Sequence, residues 1–273
     1  MLEIRMLGEL SFRADGERLH SDLGANGRML AAYLFEFPGR VHRREHLTDL
    51  FWPGAAESRA RGAFNTALWR IRRLLARESA SRGGANLQTG VREIVLDPES
   101  WLSIDTHRFV TDARQALKVY EAAGSCSDVS GLEQAVHGYR GAFLDGSESD
   151  WIIAERERLH TLYVACMTAI YKAHARAQRY EAAIAAARSV LIHDPYRESI
   201  QRALAILLTL NGQRAQAIRG LRNWTGALLI DIGIAPMAET VRLEQAISSG
   251  AVFDELDQLQ DAYFSALRPN PTV

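Results

Sequence analysis

The amino-acid sequence predicts a mainly α protein with a small β component near its N-terminus. Three observations lead there. Short alternating apolar stretches bounded by turn residues occur only in about the first hundred residues. Long Ala-, Leu- and Arg-rich stretches with helical spacing fill the remainder. An internal similarity also joins AQRYEAAI (177–184) to NGQRAQAI (211–218) at a spacing of 34 residues. That is the period of tetratricopeptide repeats, helix–turn–helix units that bury their apolar faces against one another.

In chain order, Leu2, Ile4 and Met6 alternate with Glu3 and Arg5, the pattern of a half-buried strand. LSFR (10–13) and ERLH (17–20) flank Asp15-Gly16, a dipeptide suited to the positive-φ positions of a hairpin turn. GRMLAAYLFEF (27–37) spaces Met29, Leu30, Tyr33, Leu34 and Phe37 as a helix, which Pro38-Gly39 ends. VHRREHLTDLFWPG (41–54) reads as a second, short helix with Leu47, Leu50 and Phe51 inward. Ser58 is the expected N-cap of a third helix, RARGAFNTALWRIRRLLAR (59–77). A loop, ASRGGAN (80–86), leads into LQTGVREIVLD (87–97), two β-like runs around Gly90.

Strands, three helices and a hairpin are the layout of a winged helix-turn-helix, whose third helix enters the DNA major groove and whose hairpin is the wing. The expected fold is therefore an N-terminal winged helix-turn-helix (α+β, residues 1–100) followed by an all-α tetratricopeptide-like helical domain (101–273). In that second part Asp194-Pro195 sits at a repeat turn. GLEQAVHGYRGAF (131–143) resembles a more distant repeat helix, and DWIIAERERLHTLY (150–163) is an inserted one.

Charge singles out the third helix. The chain carries 32 Lys+Arg against 33 Asp+Glu, yet residues 58–82 hold seven Arg and one acid, Glu78. A solvated helix face ordinarily mixes signs through i,i+4 pairs. Here Phe64, Leu68, Ile71 and Leu75 fall on one apolar stripe. Arg59, Thr66, Trp69, Arg70 and Arg73 fall opposite, with Asn65, Arg72 and Arg61 on the shoulder. Arg can chelate guanine O6 and N7, Asn can bridge adenine, and a Thr methyl can touch thymine. The remaining Arg suit phosphates. Arg92, near the wing tip, can reach an adjacent groove or phosphate, and Arg43 and Arg44 at the start of the second helix face the backbone. Trp69 has two roles open to it, stacking on DNA or packing inside the protein, and Arg72 could instead pair with Glu93 or another acid.

Other classes find little support. His42 and His46 have i,i+4 spacing, but Glu45 alone accompanies them, so they read as surface histidines with no metal. There is no G-x-S-x-G, H-E-x-x-H, Cys-x-x-Cys or glycine-rich phosphate loop, so neither an enzyme nor a cofactor is expected. Two cysteines, Cys126 and Cys166, make no disulfide framework. No signal peptide is visible, and the longest strongly apolar run (203–210) is too short to span a bilayer. A cytoplasmic, nucleoid-associated protein is expected. The alternative is a tetratricopeptide-type scaffold that binds proteins and no specific DNA.

IRMLGELSFRADGERL (4–19), VHRREHLTDLFWPGA (41–55) and RARGAFNTALWRIRRLL (59–75) resemble the OmpR-type winged helix of the Streptomyces antibiotic regulatory protein family. LSIDTHRFVTDARQAL (102–117), GYRGAFLDG (138–146), WIIAERERLHTLY (151–163) and LLIDIGIAPMAETVRLEQAI (228–247) resemble that family's bacterial transcriptional activator domain. The resemblance implies a transcription activator that binds promoter direct repeats as a homodimer and contacts RNA polymerase. It leaves room for an effector at the helical domain. Asn65, Thr66, Trp69, Arg70, Arg72 and Arg73 match the family's DNA-facing pattern. Ala25-Asn26-Gly27 stand where members often carry basic residues, leaving Arg28 as the one phosphate contact there. With no nucleotide-binding loop and no receiver domain in view, neither an ATP switch nor aspartyl phosphorylation within the chain is expected.

Overall fold

A computed structural model describes residues 1–79, 87–97, 102–123 and 128–250. By packing, the chain divides into two units, one of residues 1–110 with 140–159 and one of residues 111–139 with 160–273.

The first unit contains β1 (Leu2–Arg5), β2 (Ser11–Ala14), β3 (Glu17–Leu19), α1 (Gly24–Glu36), β4 (His42–Arg43), α2 (Arg44–Phe51), α3 (Glu57–Ser79), β5 (Leu87–Thr89), β6 (Glu93–Leu96) and β7 (Leu102–Ile104). One sheet has the order β3-β2-β1-β7 and the other β4-β6-β5. The β1 alternation sends Leu2 and Ile4 into the core while Glu3 and Arg5 pair at 2.9 Å on the other face. Ile4 lies opposite Phe12 of antiparallel β2 and opposite Ile104 of parallel β7. Asp15 and Gly16 turn the β2–β3 hairpin with φ of 47° and 90°, the two left-handed positions a type I′ turn requires.

The core of this unit lies between sheet and helices. Leu30, Ala31, Leu34 and Phe35 of α1 are buried there, as are Phe64, Leu68, Ile71 and Leu75 of α3. Gly27 lets the two helices approach, since a Cβ at that position would meet the Ala67 Cβ at 3.4 Å. These elements form a winged helix-turn-helix: α2 and α3 are the helix pair, and β5–β6 is the wing.

Three local features depart from the sequence expectation. The second helix begins only at Arg44, because His42 and Arg43 pair as β4 with Ile94 and Glu93 of β6. His42 is consequently buried rather than a surface histidine. Its ring meets Tyr33 edge-on at 5.2 Å, and burial pushes its pKa down. Ser58 does not cap α3, which starts at Glu57, and the Ala56 carbonyl accepts hydrogen bonds from the Arg59 and Ala60 amides, both at 2.9 Å.

Residues 140–159 complete the unit. Gly8 N–H donates to the Ala142 carbonyl and Leu144 N–H to the Met6 carbonyl, each at 2.9 Å. Trp151 stands edge-on to Tyr33 at 5.0 Å and to Phe143 at 5.8 Å. A buried polar cluster lies at the end of α1. The Glu36 side chain is 2% exposed and accepts a hydrogen bond from the Thr106 hydroxyl at 2.6 Å. The His107 Nε2 lies 2.8 Å from the Glu36 carbonyl, and the Arg158 guanidinium is 3.5 Å from the Glu36 carboxyl. Glu155 is hydrogen-bonded to Glu36 and accepts from Arg158 Nε at 2.8 Å. Burial, then the hydrogen bond and charge of Glu155, raise the Glu36 pKa to about 9. Burial also raises Glu155, but hydrogen bonds from Arg158 and Glu36 outweigh it and hold Glu155 below its ordinary value. The pair therefore shares one proton, held on Glu36.

In the second unit the helices are the later part of α4 (Asp105–Ala123), α5 (Ser130–His137), the later part of α6 (Asp150–Arg176), α7 (Tyr180–His193), α8 (Glu198–Leu210), α9 (Arg214–Ala227) and α10 (Ala238–Ser249). A π-helical turn, Leu228–Ile232, follows α9. The 34-residue similarity has a backbone counterpart. Gln178 and Gly212 both adopt left-handed φ, 57° and 75°, just before α7 and α9. The amides of 177, 178 and 179 bond to the carbonyls of 173, 175 and 174, and those of 211, 212 and 213 to 207, 209 and 208. The same turn is made twice, 34 positions apart.

Candidate nucleic-acid interface

The buried stripe of α3 fixes which side chains its other face presents. Arg59, Arg61, Asn65, Thr66, Trp69, Arg72 and Arg73 are exposed, and Arg70 is half-buried. Trp69 is 57% exposed, so it is not packed within its own unit. The Arg73 guanidinium lies 5.5 Å from its ring centre, a cation–π contact that places a charge and an aromatic face side by side.

The structure supplies several of these residues with partners. Arg61 donates to Glu57 at 2.5 Å across one helical turn, so α3 does carry one mixed-sign pair. Arg70 lies 3.6 Å from the exposed carboxylate of Asp22. Among the described residues Arg72 has no ion pair with Glu93 or another acid, and it donates to the Thr89 hydroxyl on the wing. The Thr66 hydroxyl is turned back to the Gly62 carbonyl at 3.0 Å. Arg28 is tied to the Leu10 carbonyl at 2.6 Å. Arg44 is half-buried, 5.2 Å from the Phe64 ring centre, and donates to the Asn65 side-chain oxygen. Burial, and then the charge of Arg72, lower its pKa. Arg43 and Arg92 are exposed on β4 and at the wing tip.

Two groupings result. Arg43, Arg44, Arg61, Asn65 and Arg92 line a cleft of about 930 Å³ between α2, the start of α3 and the wing. Glu45, Asp49, Glu57 and Glu93 line it too, so its four arginines face four acids. The second grouping lies on the later half of α3, where Trp69, Arg70 and Arg73 border a pocket of about 270 Å³ with Asp22 as the one acid among the described residues. The positive excess therefore sits toward the end of α3, and the cleft at its start is balanced.

Sequence reasoning missed three residues of this surface. Asp22 and Thr89 engage Arg70 and Arg72, and only the folded chain brings them together. Val91, at the wing tip, is 95% exposed. A large aliphatic side chain between Gly90 and Arg92, inside a turn, is an anomaly that could have been read from the sequence. Among the described residues no group of three or more His, Cys, Asp or Glu could hold a metal ion, and no helix is long and apolar enough to cross a membrane.

The family model described as bacterial transcriptional activator domain matches residues 104–248. No curated protein matches the sequence. Among solved structures, Mycobacterium tuberculosis EmbR in complex with a low affinity phosphopeptide is similar, with 21% identity and a TM-score of 0.72 over 96% of this chain and 69% of that one. At that identity the likeness speaks for the fold alone, an N-terminal part with small sheets followed by an all-helical part.

Proposed function

Because this chain belongs to the bacterial transcriptional activator domain family, we propose that it is a transcription activator that reads promoter DNA through α3. The observation that carries the DNA-binding part is the division of α3 into a buried aliphatic face and an exposed face bearing Trp69, Arg70, Arg72 and Arg73. In this reading α3 enters the major groove. Asn65, Arg70 and Arg73 address bases or phosphates, Arg59 and Arg61 the flanking backbone, and the wing tip with Val91 and Arg92 an adjacent groove. Arg43 and Arg44 lie at the start of α2, where phosphates are bound, and Arg28 follows the first turn of α1. The protein acts as a homodimer on direct repeats, and its helical part contacts RNA polymerase.

Arg44, Arg61, Arg70 and Arg72 already have protein partners, so DNA must exchange those contacts for phosphate and base contacts. Such an interface gains specificity where the exchange succeeds at bases and stays weak elsewhere. The test is binding of the purified chain to the intergenic DNA upstream of its own gene and to unrelated DNA, over a salt series. Two spaced footprints with preference retained as salt rises are expected. Equal, weak binding to both DNAs defeats the reading.

A further inference from the structure

Within the first unit, α1, the end of α2 and residues 147–152 enclose a pocket of about 360 Å³. Met29, Leu50, Phe51, Pro53, Trp151 and Ile152 give it an apolar lining. Two of these rings pack on Tyr33, which meets Phe51 edge-on at 5.7 Å and Trp151 at 5.0 Å. The loop that leads into the third wall is held as well. Arg156 donates to the carbonyls of Phe143, Leu144 and Ser147 at distances between 3.0 and 3.2 Å, and Ile152 N–H donates to the Ser149 carbonyl at 2.9 Å. The pocket is therefore formed before any ligand arrives, and its volume falls in the range of small-molecule sites, about 300–1,000 Å³.

We propose that this pocket binds a small organic cation, a primary ammonium carried on an aromatic body of about two rings. Its few polar groups select that class. Glu148 is the one ionisable side chain among the described residues that line it, and it is exposed. Neither Glu148 nor Asn26, on the α1 side, has a side-chain hydrogen bond or ion pair among the described residues, and Arg156 is engaged by backbone carbonyls instead. A carboxylate with no cation of its own attracts an ammonium and repels an anion. Aromatic rings beside it favour a cation further. Ser149 also borders the pocket, and its hydroxyl is buried with no hydrogen-bond partner among the described residues, an unmet group of the kind a ligand completes. An engineered cavity of about 150 Å³ takes one benzene, so this pocket has room for about two rings. A ligand held there packs directly on α2, the helix that precedes the DNA-facing α3, and its binding requires no DNA.

The test is calorimetric titration of the full chain, in the absence of DNA, with naphthylethylammonium and with naphthylethanol and naphthylpropanoate as neutral and anionic probes of similar body. The ammonium is expected to bind roughly fivefold tighter than the alcohol, the scale of an exposed ion pair, and the propanoate should bind weakest. Glu148→Gln should bring the ammonium to the affinity of the alcohol and leave the alcohol unchanged. Asn26→Trp places a large side chain at the pocket and should weaken all the probes at least tenfold. Melting curves of both variants should match the wild type, because both side chains are exposed. Failure of every probe to bind overturns the proposal, as does an alcohol bound as tightly as the ammonium or a propanoate bound tightest. An ammonium advantage that survives Glu148→Gln, or binding that survives Asn26→Trp, places the probe elsewhere and also overturns it.

Discussion

Replacing Glu36 by glutamine should remove a pH dependence of stability that the wild type shows between pH 7 and 8.5. In the folded chain the Glu36 carboxyl holds its proton up to about pH 9, whereas an unfolded glutamate releases it near its ordinary value of 4.5. Folding therefore takes up a proton throughout the interval, and stability falls as pH rises. One proton is worth about 1.4 kcal/mol per pH unit, so the wild type should lose about 2 kcal/mol from pH 7 to 8.5. For a chain of this size that is roughly 4–8 °C in Tm.

The interval is chosen to isolate this carboxyl. His42, His107 and His193 all have pKa values lowered by burial, so above pH 7 they are neutral in the folded state and largely neutral in the unfolded one, and they add only a small slope of opposite sign close to pH 7. Burial pushes the Cys166 thiol up to about 12, an effect that begins only above its ordinary value of 9. The amide introduced by Glu36→Gln would reproduce the protonated acid, its carbonyl accepting from Thr106 and its NH₂ donating to Glu155. Thermal melts at pH 7.0 and 8.5 should then show the wild type shifting and Glu36→Gln holding constant. A wild type equally stable at both values, or a variant that keeps the full slope, refutes the shared proton.

Other outcomes follow from the α3 surface. Arg70→Ala and Arg73→Ala should each weaken operator binding by about 1–3 kcal/mol with helicity unchanged, as read by footprint titration and circular dichroism. Trp69→Ala should change stability by less than about 0.5 kcal/mol, since the side chain is largely solvated, while lowering DNA affinity. Phe64→Ala, by contrast, empties a fully buried site and should cost about 3–5 kcal/mol in a denaturant melt.

Features set by near neighbours in the chain were legible in the sequence. The Asp15-Gly16 turn, the α3 stripe and the 34-residue spacing of the turns before α7 and α9 each depend on residues a few positions apart or on a recurrence of such residues. What depends on distant partners was not. β4 is two residues long and exists because Ile94 and Glu93 pair with it, so its pattern looked like the start of a helix and His42 looked solvent-facing. β7 is three residues long, too short for alternation to show, and its partner β1 lies about a hundred positions earlier. Glu36 sat on the expected first helix with no sign that Thr106 and Glu155 would bury it. On the candidate site, the arginines sharing a face could be read from spacing, but their protein partners on the wing and in the β3–α1 connection could not.

Those partners lead to a last expectation, in which removing an acid strengthens DNA binding. Asp22 is 92% exposed at its side chain and lies 3.6 Å from Arg70, itself about one-third exposed. A surface pair of this kind contributes about 0–1 kcal/mol to stability, so Asp22→Asn should leave the melting temperature nearly unchanged. The carboxylate sits beside the most positive part of α3, where it opposes an approaching phosphate and occupies Arg70. Neutralising it frees one cation for the backbone, which steepens the slope of log affinity against log salt by up to about 0.9. Affinity for unrelated DNA should rise at low salt more than affinity for the operator, because the gain is to phosphate and carries no sequence information. The discriminating result is the ratio of the two affinities. If Asp22→Asn instead weakens operator binding, Asp22 orients Arg70 toward a base, and the pair is part of the reading head rather than a brake on it.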